Sequence, residues 1–146
     1  MPLNRDQDIA QLLQSTRTIA LVGASHKPTR PSNEVMRFLL RHGYQVFPVN
    51  PGLAGQTLLG CPVYARLADI EQPIDMVDVF RQSQYLPGIV EECIALGVTA
   101  LWTQLGVIDL EAATSAEEAG IQVVMDRCPA IELPRLQAAG LISALA

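Results

Sequence analysis

The sequence predicts one α/β domain, an open and mostly parallel sheet of about five or six strands with helices on both faces. Two observations carry that prediction. Short apolar runs rich in β-branched residues alternate along the chain with stretches whose apolar residues fall at helical spacing. The connections between them are short and punctuated by glycine, which suits right-handed strand–helix–strand crossovers. At 146 residues the chain matches one domain of ordinary size and can bury a continuous core without a disulfide or metal staple.

The elements follow in order. Ile9, Leu12 and Leu13 give a short amphipathic helix over residues 4–14. The run TIALV at 18–22 is a central parallel strand, broken by Gly23. After a polar loop with Pro28 and Pro31, Ser32 is the expected N-cap of a helix through Arg41, with Val35, Phe38 and Leu39 inward and Gly43 as its stop. Residues 44–49 form a second strand in which Pro48 marks an irregular end or an unpaired N–H. A glycine-punctuated excursion covers 52–60, and 62–64 reads as a very short edge strand. Then come a strand at 74–80, a helix at 86–96 stopped by Gly97, a strand at 98–103, a helix at about 109–119 ending at Gly120, and a strand at 121–125. After Pro134 the tail is a last helix or a loosely held end, so the chain divides into an N-terminal helix (1–15), the main domain (16–134) and a C-terminal tail (135–146). With the strands alternating this way, the fold class is Rossmann-type.

Composition narrows the function. Apolar residues make up 49% of the chain and charged residues 17%, far from the signature of disorder. A net charge of -5 repels polyanions and leaves no footprint for nucleic acid. The N-terminal residues lack the pattern of a secretory leader, and no apolar run is long enough to span a bilayer, so a cytoplasmic, non-membrane protein is expected. Cys61, Cys93 and Cys128 are odd in number and widely spaced, which predicts reduced thiols and no metal site.

In an open parallel sheet, ligands gather beyond the carboxyl ends of the strands. Four segments fall there: GASHKPTRPS (23–32), VNP (49–51), VFRQ (79–82) and WTQLG (102–106). In the first, Gly23 and Ala24 let backbone N–H groups approach a phosphate, Ser25 adds a hydroxyl, and the next helix offers a positive N-terminus. Lys27, the only lysine, lies there with His26 and Arg30; these charges either meet a phosphorylated ligand or are merely solvated. The loop is not G-x-G-x-x-G, and Asn50 stands where a dinucleotide site needs an acid for the ribose, both of which count against ordinary NAD binding. Asn50 and Pro51 line an adenine or ribose pocket or simply turn the chain. Phe80 and Arg81 present an apolar face and a cation, with core packing the alternative for Phe80. Trp102 either walls a pocket, with Gln104 and Gly106 beyond it, or belongs to the core. Cys128, beside Arg127, is a redox thiol or an inert buried cysteine. His26 and His42 have no evident nucleophile or acid partner, so no catalytic residue is predicted.

The ordered series GAS with Pro28, Arg30 and Ser32, then PVNP, DVFR, WTQLG and MDRC, resembles the small bacterial CoA-binding proteins of the succinyl-CoA-synthetase-like Rossmann superfamily over about residues 16–134. The resemblance implies coenzyme A across the carboxyl rim. Gly23, Ala24 and Ser25 would lie near its phosphates, Lys27 and Arg30 would be the cationic contacts, and Ser32 is counted with them among the binding residues. Asn50 and Pro51 would touch the adenosine side, Phe80 and Arg81 the pyrophosphate or pantetheine, and Trp102, Gln104 and Gly106 the thiol end. The larger synthetases pass phosphate through a histidine on a second domain, for which neither His26 nor His42 can substitute. The expected function is therefore a noncatalytic binder of CoA or acyl-CoA, acting as a carrier, a sensor or a regulator of a partner enzyme. Two rivals remain: an NAD(P)-binding oxidoreductase or redox sensor, and a detached subunit of an acyl-CoA ligase.

Overall fold

The computed structural model describes residues 1–143. Five parallel strands, β1 (Thr18–Val22), β2 (Gln45–Val49), β5 (Met76–Val79), β6 (Ala100–Thr103) and β7 (Gln122–Val124), form one sheet in the order β2-β1-β5-β6-β7. A separate antiparallel hairpin, β3 (Thr57–Leu58) with β4 (Cys61–Pro62), occupies the glycine-punctuated excursion. The helices are α1 (Asp6–Ser15), α2 (Pro31–Arg41), α3 (Leu86–Leu96), α4 (Leu110–Glu118) and α5 (Pro129–Ala138).

Strand alternation divides the core in two. Ile19, Leu21, Met76 and Trp102 face one way and pack with α1, α2 and α5. Ala20, Val22, Val77, Val79 and Leu101 face the other way and pack with α3 and α4. Because both faces are covered, β1 reads as an unbroken apolar run, and its predicted bounds coincide with the observed ones. Helix α3 also keeps its predicted bounds, since Gly97 closes it in the left-handed conformation with its N–H donating to Ile94 O.

Both sheet edges are covered. Leu3 N donates to Val123 O at the β7 edge (2.7 Å), while Tyr64 N donates to Pro48 O and Asn50 N to Tyr64 O along the β2 edge. Pro48 itself pairs with Leu21, and its carbonyl points to the outer edge, so its missing N–H removes no bond to β1.

Two expectations are corrected. Helix α2 begins at Pro31 with Arg30 as N-cap, and Ser32 is a buried second-position residue, because the fixed φ of proline suits the first helical position. At the other end, α5 runs from Pro129 through Pro134, so the boundary drawn after Pro134 falls inside a helix. Pro134 is tolerated on the exposed flank at the cost of one bond to the Ala130 carbonyl, and Leu133 and Leu136 lock the helix into the core. Helix α1 shares that core through Ile9 and Leu13, and Arg135 bridges the two by a bidentate pair with Asp6 (2.9 Å for each bond). Residues 144–146 of the expected tail lie outside the described residues. Among the described residues no helix is long and apolar enough to cross a membrane.

Candidate functional site

β1 and β5 are neighbours whose crossovers leave in opposite directions, to β2 through α2 and to β6 through α3. Their carboxyl ends therefore form the switch point of the sheet, where a crevice is expected. A cavity of about 460 Å³ opens there on the α3 side. Val22, Gly23, Val49, Asn50 and Pro51 come from the ends of β1 and β2, Ala65, Arg66 and Leu67 from the segment after the hairpin, and Arg81 from the end of β5. Tyr85, Gly88, Ile89 and Glu92 come from the start of α3.

Gly23 is fixed by geometry. Its φ is +93°, and a Cβ there would stand 3.1 Å from both the carbonyl carbon and the carbonyl oxygen of Phe80, so a side chain would be strained and would press on backbone. Arg81 lies over the Tyr85 ring, 4.1 Å from its centroid, so the cation is presented on an aromatic platform at the mouth. Arg66 is held loosely by Asp69 (3.3 Å) and is mostly exposed.

The phosphate-cradle expectation needs revision. The N–H groups of Gly23 and Ala24 both donate to Val49 O (3.1 and 3.2 Å), so neither is free for an anion. The amides of Ser25, His26 and Thr29 donate to no protein group among the described residues. Ser25 Oγ accepts from Lys27 N (3.2 Å), and Lys27 and Arg30 are exposed. Asn33 Nδ2 donates to Ser25 O (2.8 Å), tying the loop to α2. Asn50 Nδ2 donates to Ala24 O (2.7 Å) and Asn50 Oδ1 accepts from Gly52 N (2.8 Å), so its amide braces two loops and keeps one hydrogen and one lone pair in reserve.

On the opposite face the rim is packed shut. Trp102 is 0% exposed, and its Nε1 donates to Arg127 O (2.8 Å), so the pocket-wall reading gives way to the core reading. Phe80 is half-buried against the same core. Asp78, beside Leu21 and Trp102, is fully buried with no partner for either carboxyl oxygen, and that burial pushes its carboxyl well above the ordinary carboxylate range. Gln104 is buried with Oε1 unpartnered. Gly106 N donates to Asp126 Oδ1 (2.7 Å), and Asp126 N to Thr103 Oγ1 (3.0 Å), which pins the Gln104–Gly106 turn to the end of β7. Cys128 is buried, and the Arg127 guanidinium pairs with Glu132 (2.8 Å) and not with the thiol.

Of the sequence-derived candidates, Gly23, Asn50, Pro51 and Arg81 line the cavity; Ser25, Lys27 and Arg30 lie on the adjoining loop; Ala24, Ser32, Phe80, Trp102, Gln104 and Gly106 line no part of it. Arg66, Leu67, Tyr85, Gly88, Ile89 and Glu92 were missed. The first turn of α3 was within reach, since a crossover helix starts at the carboxyl rim and Gly88 leaves open space beside it. Arg66 reaches the rim through the Tyr64–Val49 bridge, for which the sequence has no periodic signal.

Residues 17–134 match the family model described as a CoA binding domain. The chain belongs to the CoA-binding domain family. It is similar to the uncharacterized protein YneT of Bacillus subtilis, 38% identical over 121 residues, which cover 83% of this chain and 88% of that protein. A solved structure of a hypothetical protein from Pyrococcus horikoshii superposes with a TM-score of 0.88 at 40% identity, covering 94% of this chain and 96% of the other. The domain also resembles part of the alpha subunit of the ADP-forming acetate–CoA ligase I of Pyrococcus furiosus, 28% identical over 92 residues. That match takes in 60% of this chain and only 20% of the ligase subunit.

Proposed function

We propose that the protein binds coenzyme A or an acyl-CoA along the carboxyl rim and works as a carrier, sensor or regulator and not as a catalyst. The observation that carries this reading is the cavity at the switch point, walled by a glycine whose positive φ and close approach to Phe80 disfavour any side chain, and fronted by two arginines. Its volume, about 460 Å³, falls within the range of small-molecule sites and suits the adenosine end of a ligand as large as CoA. Val22, Val49, Leu67 and Ile89 supply an apolar lining for a base. The diphosphate then meets the free amides of Ser25 and His26, with Lys27 and Arg30 adding charge. The pantetheine arm continues past Phe80 towards the Gln104–Gly106 turn.

The noncatalytic reading rests on what lines the cavity. Its charged side chains are Arg66, Arg81 and Glu92, and neither histidine is among them. His42 stacks on Phe38 at the far end of α2, with Nδ1 2.9 Å from Phe38 O. The ligase likeness covers a fifth of that subunit's length, so ligase chemistry would call on parts with no counterpart in the matched region.

Isothermal titration with CoA, ATP and NAD tests the reading. CoA should give saturable heat, and the double variants Lys27→Ala/Arg30→Ala and Arg66→Gln/Arg81→Gln should each weaken it about tenfold, less so at high salt. Heat from NAD with none from CoA overturns the assignment. Acetyl-CoA incubated with the protein should be recovered intact, and its turnover overturns the noncatalytic half.

A further inference from the structure

Charge is segregated along the chain. Residues 82–126, which build α3, β6, α4 and β7, contain seven acids and neither lysine, arginine nor histidine, while the remaining residues hold all ten lysines and arginines and eight acids. Within this acidic half, α3 and α4 pack side by side and leave a groove of about 380 Å³ between them. Val90, Ile94 and Ala112 form its apolar floor and flank, and Glu91 on α3 faces Glu111 on α4 across it. Both glutamates are exposed and neither pairs with a cation in the described residues. Ile94 is 42% exposed, and Leu110, at the start of α4, is 64% exposed.

An apolar slot between two carboxylate walls selects its occupant by sign. Nucleic acid, an anionic membrane and CoA itself are repelled. A second copy meeting the groove face to face would bring two such acidic halves together, which opposes a two-fold contact there. We propose that the α3–α4 groove is a docking site for a protein partner that presents an apolar side chain flanked by lysines or arginines. The apolar residue fills the slot, and its basic neighbours pair with Glu91 and Glu111, the arrangement of a small hydrophobic anchor inside a charged rim. The groove lies on the flank of α3 opposite the cavity residues Gly88, Ile89 and Glu92, and the two share no lining residue.

The test uses the full chain labelled with nitrogen-15 and two synthetic amphipathic helical peptides, one of leucine, alanine and lysine and one with glutamate in place of lysine. The lysine peptide should give saturable amide shifts confined to residues 88–94 and 109–115, and the glutamate peptide none. Glu91→Lys/Glu111→Lys should weaken the lysine peptide about tenfold, whereas Glu34→Lys/Glu71→Lys, with the same change in net charge outside the groove, should leave it within about twofold. Ile94→Asp should remove the saturable phase. Shifts spread without saturation over all the acids, equal losses in the two double variants, equal binding of the glutamate peptide, or self-association of the unliganded chain through these same amides would each overturn the proposal.

Discussion

The two faces of the sheet end differently at the carboxyl rim. On the α3 face, Val22 and Val49 give way to an open cavity whose mouth carries Arg66, Arg81 and Tyr85. On the α2 and α5 face, at the same height, Trp102, Asp78 and Gln104 are buried, and the turn beyond β6 is tied down by Asp126. Residues one apart in β1 thus serve opposite faces, Val22 the cavity and Leu21 the closed core, because side chains alternate faces with a period of two. The α3 face is built to receive a ligand, and the opposing face holds the strands that shape it. Gly23 belongs to both, since it lines the cavity and its missing side chain lets the end of β1 approach Phe80, just past β5.

Gly23→Val breaks this division most severely. A branched Cβ at φ +93°, 3.1 Å from backbone, must splay β1 from β5, at a cost of about 3 kcal/mol in stability. CoA affinity should fall about a hundredfold, measured by titration at a temperature where circular dichroism shows the variant folded. The milder Gly23→Ala should show a smaller loss of both. Unchanged CoA binding in a folded Gly23→Val would place the ligand away from the switch point.

Trp102→Phe separates the faces. It removes the indole donor from Arg127 O and leaves a small void, which should cost about 2 kcal/mol in denaturant unfolding. CoA affinity should stay within about twofold, because the ring reaches no surface. A large loss of affinity with little loss of stability would return Trp102 to the ligand.

The same alternation explains what could be read from sequence. β1 and α3 were legible to the residue, since an apolar run or stripe is closed in each case by a glycine of positive φ. The hairpin β3–β4 was not, because two-residue strands are too short to show a period. At the site, Gly23, Asn50, Pro51 and Arg81 followed from their places at strand ends. That Val49 O captures the amides of Gly23 and Ala24 depends on how β2 lies against β1, and no local pattern announces it. Trp102 was ambiguous for a related reason: parity puts it on the face of Leu21 and Asp78, but which face opens into a cavity is decided by where α3 and the Arg66 segment come to rest.

Asp78 is the smallest lever and acts only on the closed face. Its folded carboxyl is held above its unfolded value, about 3.9, by burial without partners. The folded state therefore binds the proton more tightly than the unfolded state does. Stability from this group is fully present below the unfolded value and is lost as pH rises through the folded one. Asp78→Asn keeps the shape and cannot ionise, so its melting temperature should match wild type near pH 4 and exceed it by a few degrees at pH 8, with the gap widening as pH rises. The CoA isotherm should not follow, since Asp78 lines no part of the cavity. A gap that stays flat with pH would mean that Asp78 has found a partner, and a CoA affinity that tracks it would mean that the two faces of the rim are coupled.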